Sequence, residues 1–301
     1  MRIGASCAAQ VARPRASVAS GWVGPVVEVV EELVREPVDV PALRAWLDAH
    51  AVPGVDEVTT DGEGGSVHRR ALRPTASLEV HLPAEGPPRL RTNGGAAGLE
   101  AGRRWLGLDH DPAPGVEALA DDPVLGPLVR ARPLVRVPGA PDPFEAAVNV
   151  VLGQHVSLAA GRVFAGRLAA TQPVRPEALA SAEPGALQQA VGVTGARALT
   201  LVALARAVLD GLDLAPQPDP GARARTRAAL LALPGVGPWT ADLVGMRCLR
   251  DPDVFLPGDL VLRKALGGVS AREAARLAET WAPHRSLAVV HLWTHHALDP
   301  R

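Results

Sequence analysis

The residues with the most chemical potential lie between Leu233 and Leu266. Leu233-Pro234-Gly235-Val236-Gly237-Pro238-Trp239-Thr240-Ala241 reads as the end of one helix, a tight turn and the start of another. The apolar helix over Arg227–Leu233 stops at Pro234, and Pro238 suits a first helical position, where its missing N–H costs nothing. The two glycines permit positive φ and let a second backbone come close. A helix that opens here presents unpaired N–H groups and the positive end of its dipole, which together form a natural phosphate site. Such a turn can hold a nucleic-acid backbone without many basic side chains. A bare Gly-x-Gly turn between helices is more often an ordinary αα-hairpin; the nine-residue string is far more specific. Asp259 follows Gly235 by 24 positions and precedes a short helical pattern. Taken alone it reads as an N-cap, and a helix start also favours the ionised carboxylate.

Read together, LPGVGPWTA and the Val254-Phe255-Leu256-Pro257-Gly258-Asp259-Leu260 string behind it resemble the helix–hairpin–helix superfamily of DNA glycosylases, in its DNA-3-methyladenine glycosylase II (AlkA-type) branch. Further matches are Phe144–Val148, Leu152-Gly153-Gln154-His155-Val156-Ser157, Trp281–Ser286, His291-Leu292-Trp293 and Ala51–Val55, so the likeness covers roughly residues 40–301. The resemblance implies that Asp259 is catalytic. Breaking a bond between base and sugar builds positive charge on the sugar. A carboxylate about 4 Å away contributes roughly 4 kcal/mol at an effective dielectric near 20, on the order of a thousandfold in rate. Whether Asp259 stabilises that charge or activates the attacking water stays open at this level. Bifunctional relatives carry a nucleophilic lysine two places after the second hairpin glycine. That place is Trp239 here, and Lys264, the sole lysine, does not match it. The resemblance therefore implies a monofunctional hydrolase without lyase activity.

It further implies that Trp239 and Trp293 line a pocket for a flipped base, that His155, beside Gln154, fills the gap left in the duplex, and that Gly235, Val236, Gly237 and Thr240 hold the DNA backbone. The expected partner is double-stranded DNA carrying damaged bases, and the expected substrates are alkylated purines of the 3-methyladenine and 7-methylguanine type. Such bases are cationic, so an indole face attracts them, and they leave without a general acid. No cofactor is implied, with room for a monovalent cation at the hairpin. The expected protein is a cytoplasmic monomer. This chain departs from the family in two places. His155 stands where an apolar leucine is usual, and Leu243 and Thr294 stand where the pocket usually has tyrosines, of which the chain has none. The alternatives are a glycosylase for oxidised or deaminated bases and a non-catalytic helix–hairpin–helix DNA-binding protein. Arg247, Arg250, Arg263 and Lys264 are candidate phosphate contacts or solvated helix surface.

The elements that must position these residues fall into an α+β arrangement, a small antiparallel sheet with helices followed by a larger all-α part. Pro41–His50 reads as a helix with Leu43, Trp46 and Leu47 on one face. Val67–Leu72, Ser77–Leu82 and Arg89–Thr92 read as short antiparallel strands between Gly and Pro clusters. This gives a small unit over residues 40–95 and an all-α domain over 96–301. The helical patterns of the latter are Gly98–Leu106, Pro143–Thr171, Pro176–Gly192, Ala196–Asp210, Arg223–Leu233, Trp239–Leu249, Asp259–Leu266, Ala271–Trp281 and Ser286–Leu298. Residues 1–39 stay unassigned, with 26–34 a short helix or a linker.

Composition sets limits. Over 301 residues the hydrophobic fraction is 47% and the net charge is -1, too balanced for a nonspecific nucleic-acid coat. Any DNA contact must be local, through a few arginines and backbone N–H groups. Two cysteines, Cys7 and Cys248, cannot form a four-thiolate zinc site or an iron–sulfur cluster, and they suit a reducing compartment. No apolar run reaches membrane-spanning length. The first 20 residues carry Arg2, Arg13 and Arg15 and no acid, faintly like a transit peptide, but no long apolar stretch follows.

Overall fold

The computed structural model describes residues 28–72 and 75–298. Cys7 and the start of the 26–34 segment lie outside them. A five-stranded antiparallel sheet comes first, built from β1 (Val30–Leu33), β2 (Asp56–Thr60), β3 (Ser66–Leu72), β4 (Ala76–Leu82) and β5 (Arg89–Thr92) in the order β1-β5-β4-β3-β2. Helix α1 (Val40–His50) lies between β1 and β2, capped by Asp39, whose carboxylate accepts from the Ala42 N–H at 2.9 Å. Strand β4 alternates as period-2 burial demands: Leu78, Val80 and Leu82 are fully buried and Ser77 is exposed. They pack with Leu43 and Leu47 of α1 and with Trp105, Leu106 and Leu108.

Two boundaries differ from those read in the sequence. Residues 30–33, expected to be a helix or linker, form β1, paired with β5 in the register Val30↔Thr92 to Leu33↔Arg89. The core of the sheet also extends past residue 95, because α2 (Gly95–Trp105) packs against it and Gly102 lies against Leu78 and Leu90. Arg103 of α2 reaches back to Glu32 and Glu36 and ties β1 down.

The rest is helical: α3 (Ala113–Leu119), α4 (Leu125–Ala131), α5 (Pro143–Leu152), α6 (Leu158–Thr171), α7 (Pro176–Ala180), α8 (Pro184–Leu187), α9 (Gly195–Leu209), α10 (Pro220–Leu231), α11 (Pro238–Val244), α12 (Leu260–Ala265), α13 (Ala271–Leu277) and α14 (Arg285–Leu298). The expected continuous helix over 143–171 is broken. α5 ends at Gly153, His155 takes a left-handed φ of 56°, and Ser157 restarts the chain as the cap of α6. Helices α3 and α4, absent from the sequence reading, are short segments around Gly and Pro residues with weak local signals. No single helix among the described residues is long and apolar enough to cross a membrane.

The helices enclose two cores. One gathers α5, α6, α7, α9 and the buried face of α11; the other gathers α4, Phe255, Leu256, Trp281 and α14. Trp239 and Leu243 pack against both, so α11 lies along the seam between the lobes. The sheet is fastened to α5 by Arg70, which pairs with Asp56 at 3.4 Å and with Glu145, and to α6 by Arg162, which donates to the Ala51 carbonyl.

Candidate active site

The hairpin joins α10 to α11, and α11 continues as a π-helical turn over Gly245–Leu249. Gly235 has φ +77°, and a Cβ there would collide with the Thr200 hydroxyl. Gly237 is different: its φ is -98° and nothing lies within 4 Å of its Cβ position. Both glycines are expected from the sequence to serve the turn alike, but the fold requires a glycine only at Gly235. Val236 buries its side chain in the core (8% exposed), and Thr240 is 4% exposed with its hydroxyl accepting from Gln154 Nε2 at 2.8 Å. Both residues can therefore offer an outside partner only main-chain groups. The N–H groups of Gly237, Trp239 and Thr240 have no acceptor among the described residues.

The turn after α5 is bound to this hairpin. Gln154 Nε2 also donates to the Gly235 carbonyl at 2.9 Å, and Arg197 donates to the Gln154 carbonyl. His155 stands exposed at the tip, beside exposed Val156 and Leu158. One amide thus locks the predicted insertion turn to the predicted backbone grip.

Asp259 caps α12. Its Oδ1 accepts from the N–H groups of Val261 and Leu262, both at 2.9 Å, and Trp293 Nε1 points at the same oxygen from 3.4 Å. All three donors converge on Oδ1, so Oδ2 has no partner among the described residues. The loop that delivers Asp259 is anchored at its far end. Arg285 pairs with both oxygens of Asp253 at 2.6–2.7 Å, the Val254 N–H donates to Ser286 Oγ, and Phe255 and Leu256 are buried. Leu260, next to Asp259, is 66% exposed.

Trp293, expected from sequence to line a base pocket, lies at Asp259, its Nε1 directed at Oδ1. Trp239 packs against the same apolar cluster as Trp293, although no ring contact joins the two among the described residues. The third indole was missed. Trp46 of α1 lies 5.8 Å from Trp293, centroid to centroid, stacks on His50 at 3.9 Å and has the Arg247 guanidinium 4.7 Å from its ring. Its position on the apolar face of α1 was legible; its long-range contact with α14 was not.

Three of the four candidate phosphate contacts are otherwise engaged. Arg250 forms two 2.8 Å bonds to Asp109, Arg263 donates to the Val269 carbonyl at 2.8 Å, and Arg247 lies over Trp46 and donates to the Gly139 carbonyl at 3.1 Å. Lys264 is exposed. Among the described residues no cluster of His, Cys, Asp or Glu is placed to hold a metal ion. Cys248 is buried and free, and burial raises its thiol to about 12.

Residues 31–142 match the family model of the AlkA N-terminal domain. Over 289 residues the chain is 39% identical to a probable bifunctional transcriptional activator/DNA repair enzyme AlkA from Mycobacterium tuberculosis, covering 87% of this chain and 55% of that protein. It is 37% identical over 181 residues to DNA-3-methyladenine glycosylase 2 of Escherichia coli, covering 56% of this chain and 63% of that protein. The chain thus spans less than two thirds of the length of either relative. Among solved structures, a 3-methyladenine DNA-glycosylase from Archaeoglobus fulgidus aligns with a TM-score of 0.68 at 18% identity, over 89% of this chain and 97% of that one. An 8-oxoguanine glycosylase/lyase from Clostridium acetobutylicum, solved with double-stranded DNA, aligns with a TM-score of 0.65 at 14% identity, over 88% of this chain and 97% of that one. At these identities the structural likeness speaks for the fold.

Proposed function

We propose that this chain, similar over 289 residues to a probable AlkA and over residues 31–142 to the AlkA N-terminal domain, is a monofunctional DNA glycosylase that excises alkylated purines from duplex DNA by hydrolysing the N-glycosidic bond. The observation that carries this reading is the geometry of Asp259: a carboxylate whose Oδ1 is fully occupied by the helix start and Trp293 and whose Oδ2 is left over. As the bond from C1′ to the base nitrogen breaks, its electron pair leaves with the base and positive charge grows on the sugar. Oδ2 is the atom available to that charge, or to the water that adds to C1′ and gives up a proton. Fixing the other oxygen removes the need to reorient the carboxylate during reaction.

The other roles follow from position. Gly237, Trp239 and Thr240 offer N–H groups to a phosphate, Gly235 and Val236 shape the turn, and Gly237 supplies the open approach a backbone needs. His155, on a turn held by Gln154, enters the duplex where the nucleotide has left it; flipping costs a few kcal/mol. Trp239, Trp293 and Trp46 form aromatic walls for the base. With Trp239 in the lysine position, water is the nucleophile and no strand cleavage follows. The reaction so read uses this chain's residues and water, without a cofactor. A monovalent cation at the hairpin would share the Gly235 carbonyl with Gln154.

The test is base release from duplexes carrying 3-methyladenine, 7-methylguanine or hypoxanthine, with wild type and Asp259→Asn. Wild type is expected to release base, and Asp259→Asn to slow release by about a thousandfold. Release that survives the substitution unchanged overturns the mechanism, and strand cleavage by pure protein overturns the monofunctional reading. Duplex binding without release from any substrate would favour a non-catalytic DNA-binding protein.

A further inference from the structure

Arg247 is a buried cation with no anion beside it among the described residues. It belongs to a group of three guanidiniums in which the other two have their own carboxylates: Arg70 has Asp56 and Glu145, and Arg250 has Asp109. Arg247 has no carboxylate within ion-pair distance among the described residues. It donates to the Gly139 carbonyl, and its buried Nε has no partner. Holding a charge away from water without a counter-ion is costly. Burial, and then Arg250 and Arg70, pull its pKa down to about 10, which leaves it charged at neutral pH. It lies 4.7 Å from the Trp46 ring, and Trp46 lies 5.8 Å from Trp293, the indole that reaches Asp259. A fixed positive charge therefore stands behind one wall of the aromatic site that carries the fixed carboxylate.

Its effect depends on the charge of the base, and so rests on the glycosylase reading above. An N-alkylated purine enters as a cation and leaves neutral, so a nearby guanidinium opposes its entry. A deaminated purine enters neutral. When its bond to C1′ breaks, both electrons go to the ring nitrogen, and the base develops negative charge beside the wall while the sugar becomes positive beside Asp259. Water then adds to C1′, and its proton passes to solvent or to the departing base. A cation behind the wall stabilises that charge separation. Neutral bases are poor leaving groups and need such help. We propose that Arg247 is a specificity-determining residue that extends excision to neutral damaged purines, such as deaminated ones, at the expense of cationic alkylated ones.

The experiment compares single-turnover release of 7-methylguanine (cationic) and hypoxanthine (neutral) from the same duplex context by wild type, Arg247→Met, Arg247→Gln and Arg247→Lys. Because the two rates are taken from one preparation, their ratio does not depend on the fraction of folded protein. The ratio of cationic to neutral release is expected to rise roughly tenfold when the charge is removed. In Arg247→Lys it is expected to stay within about twofold of wild type, since one charge at a similar range exerts a similar field. Equal loss on both substrates would assign Arg247 a packing role and overturn the proposal. Wild type releasing neither base from any substrate would overturn the glycosylase reading itself, whereas wild-type release with an unchanged ratio in Arg247→Met and Arg247→Gln overturns only the role of Arg247.

Discussion

Gly235 has φ +77° and would press a Cβ into Thr200, whereas Gly237 has an ordinary φ and open space around it. The same substitution should therefore have different consequences at the two positions. Gly235→Ala meets both a left-handed backbone and a collision, and is expected to destabilise the fold by about 2 kcal/mol. Gly237→Ala is expected to leave stability within about 0.5 kcal/mol and to weaken duplex affinity on the order of tenfold, about 1.4 kcal/mol, because its methyl group meets only an outside partner. Thermal melting and fluorescence anisotropy separate the two outcomes; unchanged affinity in Gly237→Ala would remove the backbone contact from the proposal. The sequence pointed to both glycines and to Asp259, because each belongs to an unbroken local string. It could not tell the glycines apart, because the difference lies in Thr200, 35 residues upstream. Nor could it foresee that Arg250 pairs with Asp109 or that Arg263 donates its Nε–H to the Val269 carbonyl, since Asp109 is far from Arg250 in the chain and a carbonyl acceptor has no sequence signature.

At the scale of elements, the turn after α5 and the hairpin before α11 behave as one piece because the Gln154 amide holds Gly235 and Thr240 at once. Gln154→Ala leaves a buried hydroxyl without its donor and frees the turn, at an expected cost of about 1–2 kcal/mol in stability. Excision from a fully paired duplex should fall more than excision of the same lesion placed in an unpaired bulge, where no gap has to be filled. Equal loss on both substrates would mean that the turn takes no part in opening the duplex. This is also where reading from sequence was weakest. Strand β1 is four residues, VEEL, too short and too acidic to stand out, and its pairing with β5 depends on residues 56 to 62 positions away. The 143–171 pattern is helical on both sides of its break, and the break is marked only by Gly153 and by the capping role of Ser157. The longer helices were visible because periodic apolar faces are local; the seam between the two lobes was not.

Over the whole molecule, burial holds several histidines neutral. His291 is lowered to about 4, chiefly by burial, and His50, under Trp46, is lowered to about 3 by burial and then by Arg247. His68 and His110 are lowered in the same sense. In the unfolded chain each would titrate near 6.5. Above about pH 7 neither state binds these protons, and they leave stability level. Between about 6.5 and 4 the unfolded chain takes up protons that the folded chain refuses, so stability falls as the solution is acidified, with a slope that approaches at least two protons. Urea midpoints measured from pH 8 to pH 5 should be level at first and then decline; a midpoint that rises or stays level below pH 6.5 would contradict this. The near-zero net charge, legible from composition, fits a fold whose described residues include repeated Arg–carboxylate pairs such as Arg70–Asp56, Arg227–Asp242 and Arg285–Asp253. Trp46 has a consequence of another kind. It reaches Trp293 from α1, which belongs to the sheet-bearing half, whereas Trp293 and Asp259 belong to the helical half. A recombination event that exchanged the first half for that of a cousin would exchange one face of the aromatic site as well. On the proposed function, substrate preference then depends on both halves, and an exchange of one would alter it without any change in the other.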